Sequence, residues 1–515
     1  MKRLWLLVTL VLLTAIAVRI GYMTCKDAWH VDEGITLALT NSSWLSQAHP
    51  GLMERWHDKA DLEEMVFNGN LSAARFPDVQ AITDRTALDV HPPLFYWLFA
   101  LSRKVVGPEH WRSALFLLNG LLFLASGLCF LAIARRVFKD DTTVLLALAL
   151  FVFSSTTVSL TLFARMYELL QFSCLAFLAS AVYIVFPGSH GTSGFSRGVG
   201  IVCLCLSAWT GLLTHYYFLF FVFSVSLVSL VVLIARRDWN ILLWSLFAVV
   251  FGLFLASWVF PPLERHLLYS NRAMDGYALL ARLRIGMISE RALHYGLLLC
   301  RHIPALIVGV VSVVVCVLLS LTGRYNLRGR SKQGIISFIF FAITCVGSCG
   351  LAAAASPFYT LRYVASFSPA IILCLVAGVV LYLPRTLARR ILVVSLILTI
   401  APGLFPGNMS SFDEEYRRDR NPLYFKDPAP VIIVSHPEGF TWKNMIAYAS
   451  IPRGKKVYVT LRYTQDGLER SLVDILQGSG SSTGYAMVDV LFPALEGIPV
   501  VGIYGFFKVY KLEAR

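Results

Sequence analysis

The chain has 515 residues, 57% hydrophobic and 15% charged, with a mean hydropathy of +0.66. Soluble domains carry about 25% charged residues, so this composition excludes an ordinary soluble enzyme and points to a membrane protein. The net charge of +14 does not require nucleic acid as a partner, because Lys and Arg recur in short clusters between apolar runs, as cytoplasmic loops do.

Crossing about 30 Å of hydrocarbon takes roughly 20 apolar residues. Eleven runs approach that length: 4–22, 112–134, 142–163, 167–186, 199–214, 217–234, 241–260, 302–322, 334–355, 362–383 and 391–405. The first is preceded by Lys2 and Arg3 and contains Ala15-Ile16-Ala17, which resembles a signal-peptide cleavage site. It reads as a retained helix, and either reading leaves Asp32 outside.

A long loop, 23–110, follows, carrying 11 of the 31 acids between Met23 and Pro93. Its far end, "HPPLFYWLFALSRKVVG" (91–107), is too short in apolar residues to span and reads as an interfacial or re-entrant piece. With that segment non-spanning, the basic clusters at 135–139, 197, 236–237, 323–332 and 384–390 share the side of Lys2 and Arg3. The opposite, outer face then receives loop 23–110, the junctions 163–168, 214–218 and 356–363, loop 261–300, and everything after Phe405.

The stretch from 406 to 515 changes character and carries 12 acids. "APVIIVSH" and "KKVYVTLRY" read as strands, "DGLERSLVDILQG" as a helix ending in glycine, and "VVGIYGFFKVY" as a closing strand. The fold class is therefore an α-helical polytopic membrane protein of about 11 spans (11–13), residues 1–405, with a small extracytoplasmic α/β domain, 406–515. No glycine-rich nucleotide loop occurs in that domain. Most of the ten cysteines lie inside apolar runs without metal-ligand spacing, which argues against a disulfide framework or a zinc site.

The residues able to do chemistry gather at the outer ends of the spans. Asp32 and Glu33 stand just beyond the first helix. They read either as an acid pair marking a helix end or as a carboxylate whose partial desolvation makes it a better proton acceptor. Arg165 and Arg362 each end a span and each neighbours a tyrosine, Tyr167 and Tyr363, so they either snorkel to headgroups or bind an anion. The arginines of loop 261–300 (265, 272, 282, 284 and 291) have the same two readings. His91 either contacts a ligand or caps the interfacial helix. His215, Tyr216 and Tyr217 form either a site wall or an aromatic belt, and Glu168 is either a membrane-depth functional acid or a helix-start glutamate.

Five short motifs occur in order and on one face: "VDEG", "HPPLFYWL", "ARMYELLQF", "LLTHYYFLFF" and "LRYVASFSPAI". Over roughly 1–400 the chain resembles the GT-C superfamily of membrane glycosyltransferases. Within it, the chain is most similar to the branch of protein O-mannosyltransferases and lipid A aminoarabinose transferases (family 39 type). The resemblance implies transfer of a sugar, with inversion, from a polyprenyl- or dolichyl-phosphate donor on the non-cytoplasmic face, most simply of a bacterial plasma membrane. It implies that Asp32 acts as or sits beside the catalytic base, with Glu33 supporting it. It also implies a donor phosphate met by Arg165, Arg362 and His91, and a site lined by Tyr167, Glu168, His215, Tyr216 and Tyr363. The acceptor class, whether glycan, lipid or protein, stays open, and no nucleic acid is implied.

Relatives that hold a divalent ion carry paired aspartates at the second outer junction, where this chain reads "FARMYE", so no metal is required and a divalent metal is not favoured. The competing class is a multi-pass transporter or flippase; those bind near the midplane with intramembrane charges, and here the predicted helix centres are nearly uncharged. A polymerase- or ligase-type envelope enzyme would lack the "DE" and "HPPL" pairing, and a catalytically dead scaffold is separable only by assay. Sequons at Asn41, Asn70 and Asn408 are expected on the outer face.

Overall fold

The computed structural model describes residues 2–24, 31–40, 54–58, 61, 78–107, 110–186, 194–281, 285–321, 332–356, 360–401, 428–435, 451, 454–462, 467–504 and 507–513. All three sequons lie outside the described residues. Contacts group the chain into two units: Met1–Thr24, Thr83–Phe95 and Phe116–Phe412, then Cys25–Ile82, Tyr96–Leu115 and Asp413–Arg515.

In the first unit every apolar run expected to span coincides with helix. Among the described residues six helices are long and apolar enough to cross a membrane: Lys2–Thr24, Trp111–Val137, Tyr167–Val185, Phe218–Ala235, Trp239–Val259 and Lys332–Ala355. The other expected spans are bent, broken or short, for reasons written in the chain. Run 142–163 is two helices, Asp141–Val152 and Ser155–Leu162, meeting at 49°. The break falls where Ser154 begins four consecutive hydroxyl residues. Its Oγ accepts from the Thr157 N–H (3.3 Å) and donates to the Phe151 carbonyl (3.0 Å), an alternative to the helix ladder.

Run 362–383 is interrupted after the short helix Arg362–Ala365 and restarts at Ser368–Tyr382, with Pro369 in the first turn, where its missing N–H costs nothing. The helices before and after Ile303-Pro304 meet at 110°. Helices Gly194–Leu212 and Arg385–Ile400 complete the expected set. The segment 91–107 forms a helix of only 13 residues, Leu94–Val106, which cannot cross.

Helices packed in lipid gain little from hydrophobic exclusion and rely on close approach at small residues. At Gly252 an added Cβ would run into the Cys205 carbonyl oxygen and come within 2.9 Å of the Ala208 Cβ, so helices Trp239–Val259 and Gly194–Leu212 touch backbone to backbone there. Gly252→Val should cost about 1–3 kcal/mol by forcing the pair apart. That is measurable as a lowered melting temperature in detergent, and an unchanged melting temperature would contradict the contact.

The second unit holds a six-stranded sheet of order β1-β3-β2-β4-β6-β5. The strands are β1 Trp56–Asp58, β2 Val431–Ser435, β3 Lys456–Leu461, β4 Thr483–Asp489, β5 Val500–Tyr504 and β6 Phe507–Glu513. β2 pairs parallel with β3 and β4 and is buried along its whole length, as a continuous apolar run in a parallel sheet should be. Helix Leu468–Gly478 buries Leu468, Leu472 and Leu476, one face at a four-residue spacing, in the cluster that includes Ile432, Val434 and Val488.

The two strands and the helix expected here are present. The run read as one closing strand is the antiparallel pair β5–β6, and β4 was not anticipated. β1 comes from the first loop and pairs antiparallel with β3. Just before it, the Glu54 carboxylate accepts from Thr460 Oγ1 (2.6 Å) and Tyr458 OH (3.0 Å).

Candidate functional site

The first unit brings the sequence-selected residues together around one histidine. Pro92 and Pro93 bias His91 away from helical conformation, so the segment bends without forming helix until Leu94–Val106 begins. The Leu94 N–H donates to the Leu213 carbonyl at 3.1 Å, which pins this segment against the junction carrying His215.

His91 Nδ1 lies 2.8 Å from Asp89 Oδ2, and its Nε2 lies 3.4 Å from Arg165 Nη2. A guanidinium only donates, so this arrangement has Nδ1–H donating to Asp89 and Nε2 accepting from Arg165. Burial by itself would raise the Asp89 carboxyl. The bonded His91 ring, the Arg165 charge and the Val90 N–H outweigh burial and hold it well below the usual carboxylate range.

A carboxyl whose folded-state value is the lower one contributes stability that is present above about pH 4 and is lost as pH falls through the folded value. Asp89→Asn should therefore melt below wild type at pH 7, with the gap narrowing in acid below about pH 4. A gap that stays constant across that range would contradict the Asp89–His91–Arg165 contact.

Arg165 is 3% exposed and sits in the turn between helices Ser155–Leu162 and Tyr167–Val185. Asn119 fixes that turn, its Nδ2 donating to the carbonyls of Thr161 and Phe163, both at 3.1 Å. The Arg165 N–H donates to the same Phe163 carbonyl at 2.7 Å.

His215 accepts the Tyr217 N–H on Nδ1 at 3.0 Å, which leaves Nε2 as its protonated nitrogen. Its ring centroid lies 6.1 Å from His91, 5.7 Å from Tyr167 and 5.0 Å from Tyr217. Burial first, then the neighbouring His91, Arg165 and Arg362, push His215 well below the ordinary histidine value, which favours the neutral imidazole. The Tyr363 ring is tilted 51° to Tyr217 with centroids 5.2 Å apart, and the Arg362 guanidinium lies 5.6 Å from the Tyr363 ring. The first unit thus gathers Asp89, His91, Arg165, His215 and Arg362 with Tyr167, Tyr217 and Tyr363. Two arginines against one aspartate make it an anion site in character.

Tyr216 is a brace. Its hydroxyl lies 2.5 Å from His266 Nδ1, and His266 Nε2 donates to the Ala87 carbonyl at 3.0 Å, tying the Asp89 segment to helix Pro262–Tyr269. Burial lowers His266 against the opposing pull of the Ala87 carbonyl and Asp89, which suits a neutral ring that donates on one side and accepts on the other. Glu168 is wholly buried in a separate network. Its Oε2 is 3.0 Å from Thr161 Oγ1, its Oε1 accepts from Gln171 Nε2 (3.2 Å), and Arg19 Nε donates to the same Thr161 hydroxyl at 3.0 Å. Arg19 also lies 3.6 Å over the Phe123 ring. Arg19 and Glu168 thus meet through the one Thr161 hydroxyl inside the bundle.

Of the loop 261–300 arginines, Arg291 is a helix cap, donating to the carbonyls of Ala353 (2.9 Å) and Ser356 (2.8 Å) at the C-terminal end of Lys332–Ala355. Arg265 is exposed, and Arg282 and Arg284 lie outside the described residues. In the second unit, Asp32 is half-buried and Glu33 buried, both in the first turn of helix Val31–Thr40, where the helix N-terminus favours negative charge. Among the described residues, no three His, Cys, Asp or Glu side chains gather to hold a metal ion.

Sequence reasoning missed Asp89, His266 and Arg19. Asp89 stands two residues before His91, a signal available only once the histidine is known to face it.

No protein-family model matches the chain, and no curated protein sequence matches it. Among solved structures, ArnT from Cupriavidus metallidurans bound to undecaprenyl phosphate is similar at a TM-score of 0.50 and 13% identity, covering 98% of this chain and 97% of that one. The apo form of the same protein gives 0.48 at 15% identity, with 98% of each chain covered. The Archaeoglobus fulgidus oligosaccharyltransferase in complex with zinc and sulfate gives 0.40 at 11% identity, covering 93% of this chain and 68% of that one. The first likeness, over nearly the whole of both chains, shows the fold: the chain is a membrane protein built on the GT-C fold.

Proposed function

We propose that the protein is a membrane glycosyltransferase that takes a sugar from a polyprenyl-phosphate donor and passes it, with inversion, to an acceptor hydroxyl on the extracytoplasmic face. The observation that carries this reading is the cluster of Arg165, His91 and Arg362 around His215, at the span ends of a chain with the GT-C fold. The structural neighbour bound to undecaprenyl phosphate supports a lipid phosphate as the anion.

In the proposed reaction the acceptor oxygen attacks the anomeric carbon, the bond from that carbon to the phosphate oxygen breaks, and the lipid phosphate leaves with the electron pair. The acceptor proton goes to a carboxylate, for which Asp32 is proposed on the family resemblance, with Glu33 supporting it. The leaving group is already a stable anion, so it needs cations and not a protonating acid; Arg165 and Arg362 supply them. His91, held through Nδ1 by Asp89, accepts from Arg165 on Nε2 and so orients that guanidinium toward the anion. His215 and the tyrosines Tyr167 and Tyr363 form the proposed wall of the site. The reading extends to a bacterial plasma membrane as the location.

The test is transfer or hydrolysis by purified protein from a panel of undecaprenyl-phosphate-linked sugars. Release of undecaprenyl phosphate with at least one sugar supports the reading, and no release from any of them, with folding verified, contradicts it.

A further inference from the structure

At the opposite end of the broken span Asp141–Leu162 from Arg165 lies a second cluster with no part in the proposed transfer. Asp140 caps helix Asp141–Val152, accepting the Thr143 N–H at 3.1 Å and the Thr143 hydroxyl at 2.8 Å. The same carboxylate accepts from Arg385 Nη2 at 2.6 Å and Arg389 Nη2 at 2.7 Å. Burial would raise this carboxyl, but the two arginines and Thr143 hold it far below its usual range. Lys139 stands beside it outside the triad, so Lys139 and Arg385 are the two cations at the cavity that Asp140 borders.

These groups border a cavity of about 650 Å³, inside the roughly 300–1,000 Å³ range of ligand pockets. Val137, Phe138, Val380 and Leu381 form its apolar walls, and Lys139 and Arg385 its charged rim. The Arg385 side chain is 71% exposed and spends one nitrogen on Asp140, which leaves the rest of its guanidinium to a ligand.

We propose that this cavity binds the phosphate headgroup of an anionic membrane lipid, with Lys139 and Arg385 on the phosphate and the first acyl methylenes against Phe138 and Leu381. Charge complementarity selects an anion. The apolar walls at the ends of membrane helices select an amphiphile over a free phosphate. The site is separate from the proposed transfer site and does not depend on it.

The experiment uses the full chain in detergent, with phosphatidylglycerol retention read by native mass spectrometry and phosphatidylcholine, whose phosphate is neutralised by its own ammonium, as the zwitterionic control. Wild type should retain phosphatidylglycerol in preference to phosphatidylcholine, and Lys139→Gln combined with Arg385→Gln should reduce that retention about tenfold. Lys139→Gln alone leaves the Asp140 triad intact and should give a partial loss at an unchanged melting temperature, so a folding defect in the double variant does not decide the matter. Arg165→Ala should retain phosphatidylglycerol as wild type does. Equal retention by wild type and Lys139→Gln/Arg385→Gln, or no preference over phosphatidylcholine, overturns the proposal. So does displacement of the lipid by inorganic phosphate at equal concentration, which would assign the site to a free ion.

Discussion

Arg165→Ala is expected to lower kcat/KM for a polyprenyl-phosphate-linked sugar by about 10²–10³-fold, the range seen when one preorganised donor to developing negative charge is removed. The size follows from the setting. Arg165 is almost fully buried, its turn is clamped by Asn119, and its Nη2 already faces His91. Such a cation is oriented before the donor arrives, and in a desolvated site its interaction with a leaving phosphate is screened less than at a surface. Arg165→Lys should recover part of the loss, because it restores charge without the two-pronged geometry of a guanidinium. Steady-state kinetics with melting temperatures in parallel make the check. A loss below about threefold in a folded variant would mean that the leaving phosphate sits elsewhere.

Asp32→Asn is expected to cut kcat by about 10²–10⁴-fold while leaving donor binding near wild type, the signature of removing a general base and not a binding group. Asp32 lies half-buried in the first turn of helix Val31–Thr40, where the positive end of the helix dipole favours a carboxylate. Glu33, next in the same turn, is 1% exposed, and Glu33→Gln should act through stability as well as rate. The discriminating comparison is kcat against donor Kd for Asp32→Asn. Wild-type turnover would remove Asp32 from the reaction, and loss of donor binding without loss of turnover would reassign it to the donor.

The membrane architecture was legible because hydrocarbon thickness sets a length that apolar runs either meet or miss. Where a run had the right length but the wrong interior chemistry, as at Ser154 and Pro369, hydropathy hid the break that local hydrogen bonding makes. The sheet was half legible. The alternation of "KKVYVTLRY" and the leucine spacing of "DGLERSLVDILQG" speak locally, whereas the pairing of β1 with β3 joins residues about 400 positions apart.

The candidate site divides the same way. Arg165, His91, His215 and Arg362 could be chosen because polar residues at span ends are few. Their order around His215, the Asp89 contact and the Tyr216–His266 brace exist only once three separate junctions fold against one another. Arg19 and Glu168 show the reverse. Glu168 read as either a functional acid or a helix-start glutamate and Arg19 drew no notice, and only the bundle reveals the Thr161 hydroxyl between them.

The most direct measurement is mass spectrometry of the lipid that co-purifies with the wild-type chain and with Arg165→Ala. A polyprenyl phosphate, with or without its sugar, should accompany the wild type and be lost from the variant. Its absence from the wild type when the lipid is supplied, or equal retention by both proteins, would contradict a lipid-phosphate donor held by the Arg165–His91 cluster.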